Sequence, residues 1–313
     1  MKLFRTKIFK IALMALVAGS LFTSCQKDDP EVLVADNIDK QLAANPALSL
    51  FQYALKKTNL TSFTQGKGPF TIFAPTNDAF NEIGISNEAG INAVDSNKLV
   101  QILTYHIQVG ERTFVEIPFG PNAPMSTQSG FLQYATRFQG GSAFINGAKI
   151  TKENIVASNG IIHIIDRVLQ PPFFNGLNTL AANPNYARMV QAINKTLVTA
   201  SFTGGTVTIF AVPNSAMVAA GYDSTTIANL IVPSTAATLL SNIMRYHAIA
   251  QRIYPQDFKP IAYKTLHGSN LTVSLAGQVI NVKGIGNPAA FQLGTSVPIS
   301  NGVLYPINGL LRY

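Results

Sequence analysis

The stretch Pro69-Phe-Thr-Ile-Phe-Ala-Pro-Thr-Asn-Asp-Ala-Phe80 decides how this chain is read. Phe70, Ile72 and Phe73 are apolar, and Thr71 and Ile72 are β-branched, so the segment begins as a short buried strand. Pro75 has no N–H to give a ladder, so the strand stops there. Thr76 or Asn77 can then cap a helix, because a short side-chain oxygen accepts from unpaired first-turn amides. The device returns 137 residues later as Thr208-Ile-Phe-Ala-Val-Pro-Asn-Ser-Ala-Met217, with six of ten aligned positions identical.

Other landmarks repeat in the same order. Leu42-Ala-Ala-Asn-Pro46 returns as Leu180-Ala-Ala-Asn-Pro184, Tyr105-His106 as Tyr246-His247, and Asn159-Gly160 as Asn301-Gly302, at offsets of 138, 141 and 142. A period of about 135 residues is a domain duplication, since solenoid repeats run about 20–50. The segments Thr71–Phe80, Tyr105-His106 and Asn159-Gly-Ile-Ile-His-Ile-Ile-Asp-Arg-Val-Leu169 resemble the landmark segments of the fasciclin (FAS1) domain, in order and at similar spacing. The second copy departs at Ala211-Val-Pro-Asn214, and Tyr305-Pro306 stands in place of His163-Ile164. The expected organisation is a signal over 1–24, a tether over 25–37, and fasciclin-like domains over 38–172 and 173–313.

Lys2, Arg5, Lys7 and Lys10 precede an apolar run over Ile11–Phe22 that is too short to remain as a membrane helix, which reads as an export signal. It ends in Leu21-Phe-Thr-Ser-Cys25, which resembles a bacterial lipobox, and Cys25 is the only cysteine. A lone cysteine there is an acylation site, carrying diacyl and palmitate-type lipid, rather than a working thiol. Gln26-Lys-Asp-Asp-Pro30 resembles the tag that takes some lipoproteins to the outer face of the outer membrane, and also reads as a plain solvated tether.

The chain carries +8, but four of its 23 basic residues lie in the signal, leaving 19 against 15, or +4. That balance leaves no nucleic-acid footprint. Two domains of this length bury cores without disulfides, and the lipid is the only expected membrane attachment.

Within the first copy, Leu48, Phe51, Ala54 and Leu55 recur at helical spacing. Ser96 is expected to cap a helix that carries Leu99, Ile102, Leu103 and His106 on one face, and Ser234 its counterpart. Strands are expected at Phe131–Thr136, Ala143–Ile145, Lys149–Thr151 and Ile161–Asp166, with a turn at Asn146-Gly147. In the second copy they are expected at Leu271–Leu275 and Val279–Val282. Helices early and strands late make the class α+β. The family resemblance implies a small β-sandwich or wedge with helices along one side.

No zinc-type His-Glu pairing, nucleophile elbow or phosphate-binding loop occurs, and the carboxylates are scattered. No enzyme activity, metal or cofactor is expected. His106 and His247 share a register with apolar residues, which favours packed helix-end histidines. The family associates the Tyr-His segment with adhesion, so Tyr105, His106, Tyr246 and His247 also stand as binding candidates. His163 reads as a core residue whose hydrogen bonding Tyr305 takes over. The loops 108–124 and 248–260 bring Glu111, Arg112, Arg252 and Tyr254 in compositions typical of ordered contact loops. The resemblance implies a surface-anchored adhesion or interaction lipoprotein that binds a cell-surface or matrix protein, or a polysaccharide. The alternative is a glycan- or small-ligand-binding lipoprotein of an outer-membrane uptake system.

Overall fold

The first strand, β1 (Phe70–Pro75), lies between two others in the middle of its domain. The structure, a computed structural model, describes residues 35–313. The signal, Cys25 and most of the expected tether lie outside that range. β1 pairs antiparallel with β2 (Ile107–Val109) on one side. On the other it pairs parallel with β7 (Gly160–Ile165). Between them in sequence run β3 (Gly120–Ser126), β4 (Leu132–Arg137), β5 (Ala143–Ile145) and β6 (Ala148–Ala157). The seven-stranded sheet has the order β2-β1-β7-β6-β5-β4-β3.

The second domain repeats this plan as two four-stranded sheets. One joins β8 (Val207–Ala211), β9 (Ala248–Ile249), β14 (Val297–Ile299) and β15 (Gly302–Pro306), with β8 again parallel to the last strand. The other joins β10 (Ala262–Lys264), β11 (Asn270–Ala276), β12 (Val279–Gly284) and β13 (Phe291–Gln292). The single bulged strand β6 is thus split in the second domain into β13 and β14. Helices pack beside each sheet, so the α+β class holds.

The repeated residues are those that hold this geometry. A Cβ on Gly160 would stand 1.9 Å from the Phe70 carbonyl oxygen, and one on Gly302 1.6 Å from that of Val207. Only glycine lets the parallel strands meet there. The asparagine before each glycine ties the domain's first helix to the sheet. Asn159 Oδ1 accepts from the Ile38 amide at 2.9 Å, and Asn301 Oδ1 from the Gly176 amide at 3.0 Å. Their Nδ2 groups donate to the Thr64 and Gly66 carbonyls and to the Phe202 carbonyl.

Thr76 caps the helix Asn77–Glu82 by accepting from Ala79. Asn77 does something else: its Oδ1 accepts from the Leu50 amide and its Nδ2 donates to the Pro46 carbonyl. Asn214 repeats both bonds with Arg188 and Pro184. The helix Ser96–Tyr105 is capped by Asp95, not Ser96: the carboxylate accepts from Lys98 N–H and favours the positive end of the helix dipole. Ser234 caps Thr235–Tyr246 as expected. β6 extends well past Thr151, because its outward Lys152, Glu153 and Asn154 belong to a bulged, solvent-facing strand rather than a turn.

Candidate interaction surface and the junction between the domains

The Tyr-His pairs are interior. Tyr105, His106, Tyr246 and His247 are fully buried, which removes them from any contact face. Each histidine ends its helix and staples it to the domain's tail. His106 Nδ1 lies 2.8 Å from the Ile102 carbonyl and its Nε2 accepts from Leu169 N–H at 2.9 Å. His247 repeats this with Ile243 and Leu311. Each Nε2 accepts a hydrogen bond from a backbone N–H, so each ring is the neutral Nδ1–H tautomer and donates from Nδ1 to the helix carbonyl. Burial pushes both histidines down to about 4. The tyrosines donate to the equivalent carbonyls of Leu132 and Asn270.

His163 lies stacked on Phe73, with Nε2 2.9 Å from the Arg112 carbonyl. Tyr305 donates at 2.8 Å to the carbonyl of Ile253, which is the residue equivalent to Arg112. The two side chains fill one structural role.

The two loops part company. Each carries a short 3-10 turn in which an acid at the third position takes the backbone N–H that opens it. Glu116 accepts from Thr113 N–H at 2.6 Å, and Asp257 from Tyr254 N–H at 3.4 Å. In the second domain this turn is partly buried, packed against the first, with Tyr254 fully enclosed. Tyr254 donates to Asn146 Oδ1 at 3.1 Å, and Asn146 Nδ2 donates to Tyr105 Oη. The Arg252 guanidinium lies 3.6 Å over the Tyr134 ring, while its carbonyl accepts from Asn122 at 2.7 Å. Thr136 donates to Asp257 at 3.4 Å. At Gly147, φ +86°, a side chain would press on Pro255 and Tyr254. Arg252 and Tyr254 therefore serve the junction between domains, not an outside partner.

The first domain's copy of the loop gives Asn122 to the junction but leaves its earlier part open. Glu111 is exposed and Arg112 partly so. Val109, Val115 and Phe119 are 73%, 70% and 61% exposed. The Arg137 guanidinium sits 3.5 Å over Phe119, a contact that presents an apolar ring and a charge together. Arg252, Tyr254 and Asp257 stood in the sequence as members of the loop 248–260, whereas nothing singled out Tyr134 or Asn122. Asn146-Gly147 stood in the sequence as a hairpin turn, and Asn146 also proves to be the acceptor for Tyr254. Among the described residues no group of three or more His, Asp or Glu side chains is placed to hold a metal.

Residues 46–171 and 184–312 each match the family model described as the fasciclin domain. The chain belongs to the fasciclin family. Protein sll1483 of Synechocystis is 34% identical over 131 residues, 42% of this chain and 71% of that protein. Human periostin is 24% identical over 91% of this fasciclin chain, and rat stabilin-2 26% over 74%. The chain spans only 33% and 17% of those two proteins. A solved FAS1 domain pair from the insect cell adhesion molecule fasciclin I aligns over 86% of this chain and 98% of its own, at 20% identity and a TM-score of 0.41. No helix among the described residues is long and apolar enough to cross a membrane.

Proposed function

We propose that this fasciclin protein is a surface-anchored, non-catalytic adhesion and interaction lipoprotein. In this reading Cys25 carries the lipid that holds it to the outer membrane, facing the cell exterior, and the first domain presents its free loop to a cell-surface or matrix protein. The observation that carries the reading is the inequality of the two loops. The second is consumed by the junction, whereas the first leaves Val109, Val115 and Phe119 uncovered beside Glu111 and Arg112. Apolar and aromatic groups ringed by charge are the composition of a protein-binding patch.

The test is Val115→Asp with Phe119→Asp in the full chain, with circular dichroism confirming the fold. Both side chains are exposed, so the fold should survive. Attachment of cells to immobilised protein is expected to fall at least tenfold. Attachment equal to the parent's would place the contact elsewhere.

A further inference from the structure

Two recesses between the domains meet at Arg167. The larger, about 410 Å³, lies between the first domain's helix Asn77–Glu82 and tail and the second domain's Thr295 and Ser296. The smaller, about 220 Å³, shares Arg167, Thr295 and Ser296 and continues past Gln278 and Gln292. The wall exists because the strand that is continuous as β6 is broken in the second domain. Residues 293–296 loop out between β13 and β14, and Gly294 N–H pins the loop to the Pro306 carbonyl at 2.8 Å.

The recess is a feature of the fold that both domains keep. Ala79, Glu82 and Ile83 correspond to Ala216, Ala219 and Ala220, and Val168 and Gln170 to Leu310 and Arg312. Those second-domain residues line a recess of about 350 Å³. The two tails differ in sequence, yet each brings one arginine to the lining of its recess: Arg167 in the first and Arg312 in the second.

Arg167 is exposed and makes no ion pair or hydrogen bond among the described residues. Its neighbour Asp166 is turned away, accepting the Lys149 N–H at 2.7 Å. A single planar guanidinium fits a carboxylate through two parallel bonds. A phosphate dianion would call for further cations or a nest of backbone amides. The two recesses are also lined by the amides of Gln170, Gln278 and Gln292 and the hydroxyls of Thr295 and Ser296. Such groups both donate and accept, as sugar hydroxyls do. The larger recess also carries the Glu82 carboxylate, so an acidic ligand must seat its charge on Arg167 and turn hydroxyls toward Glu82. The larger recess alone falls within the roughly 300–1,000 Å³ of small-molecule sites.

We propose that this cleft binds an acidic oligosaccharide, with a uronate carboxylate on Arg167 and ring hydroxyls on the surrounding amides and hydroxyls. The site is separate from the open loop of the first domain and does not rest on protein binding there.

Calorimetry of the full chain tests it, using a tetrameric oligouronate, a neutral oligoglucan of the same length and a tetraglutamate peptide. Saturable binding is expected for the oligouronate alone. It should weaken at least tenfold in Arg167→Ala, fall away in Ser296→Phe, which puts a bulky ring on the cleft lining, and stay unchanged in Lys98→Ala, an exposed residue remote from both sites in sequence and role. Arg167 has no structural bond to lose, so the first variant should fold. The proposal is overturned if the parent binds no oligouronate, if Arg167→Ala binds as well as the parent, or if the neutral glucan or the peptide binds equally.

Discussion

Asp257 should make the junction between the domains weaken as pH rises. Its carboxyl is pushed up to about 6, from an ordinary 3.8, by burial against the first domain, and its bonds from Thr136 and the Tyr254 N–H only partly offset that. A carboxyl whose folded value is raised gives its full stability below 3.8, where it is protonated in both states, and loses it as pH climbs through 6. A shift of about two units is at most roughly 3 kcal/mol. In a unit of this size that corresponds to on the order of 5–10 °C in unfolding midpoint. The histidines oppose it. His106 and His247, held down to about 4, give stability that is present above 6.5 and lost as pH falls through 4. A bare pH profile would mix these effects, so the assay is the difference in midpoint between Asp257→Asn and the parent at pH 4, 5, 6 and 7. The histidine contributions cancel in that difference. Asparagine keeps an acceptor for Tyr254 N–H but never ionises, so the variant should gain on the parent between pH 4 and 7. A difference that stays flat over that range would refute the argument.

Phe73 and Phe210 are fully buried at equivalent positions of the two lead strands, and truncating either to Ala should cost about 3–5 kcal/mol in chemical denaturation of the full chain. A loss under about 1 kcal/mol for both would mean that neither ring anchors its core. Cys25→Ala should release the protein from membrane fractions, because the acyl chains are its expected hydrophobic attachment. Undiminished membrane association, with no lipid mass on the parent protein, would remove the anchor from the proposal.

Much of the fold was legible because its constraints are local. The Thr-Ile-Phe-Ala strand, the proline stop and the Asn-Gly before the last strand each act within a few residues. Even the exchange of His163 for Tyr305 could be read as one hydrogen-bonding role, and both rings do bond the equivalent carbonyls of Arg112 and Ile253. The sequence leaves the cap open between Thr76 and Asn77 because the partners that occupy Asn77, Leu50 and Pro46, lie about thirty residues away. The Tyr-His pairs stood as binding candidates because the family resemblance associates that segment with adhesion. Their register on the helix pointed inward, and the register prevailed: every polar atom of those rings finds a backbone partner inside. The cleft at Arg167 had no signal, since its two walls lie more than 100 residues apart in sequence.

The two 3-10 turns show why composition could not tell a contact loop from a junction. Glu116 and Asp257 sit at equivalent positions and accept the equivalent backbone N–H. In solvent, those bonds hold Glu116 below the ordinary carboxylate range. Against the neighbouring domain, burial overrides the same kind of bond and lifts Asp257 above it. The sign of the shift is set by what covers the turn, not by the turn. Cover comes from elsewhere in the chain: Tyr254 finds Asn146, whereas Thr113 at the same position is too short to reach beyond its own turn. Tyr254 in place of Thr113, together with Arg252 in place of Glu111, turns the second copy of the duplicated loop toward the first domain.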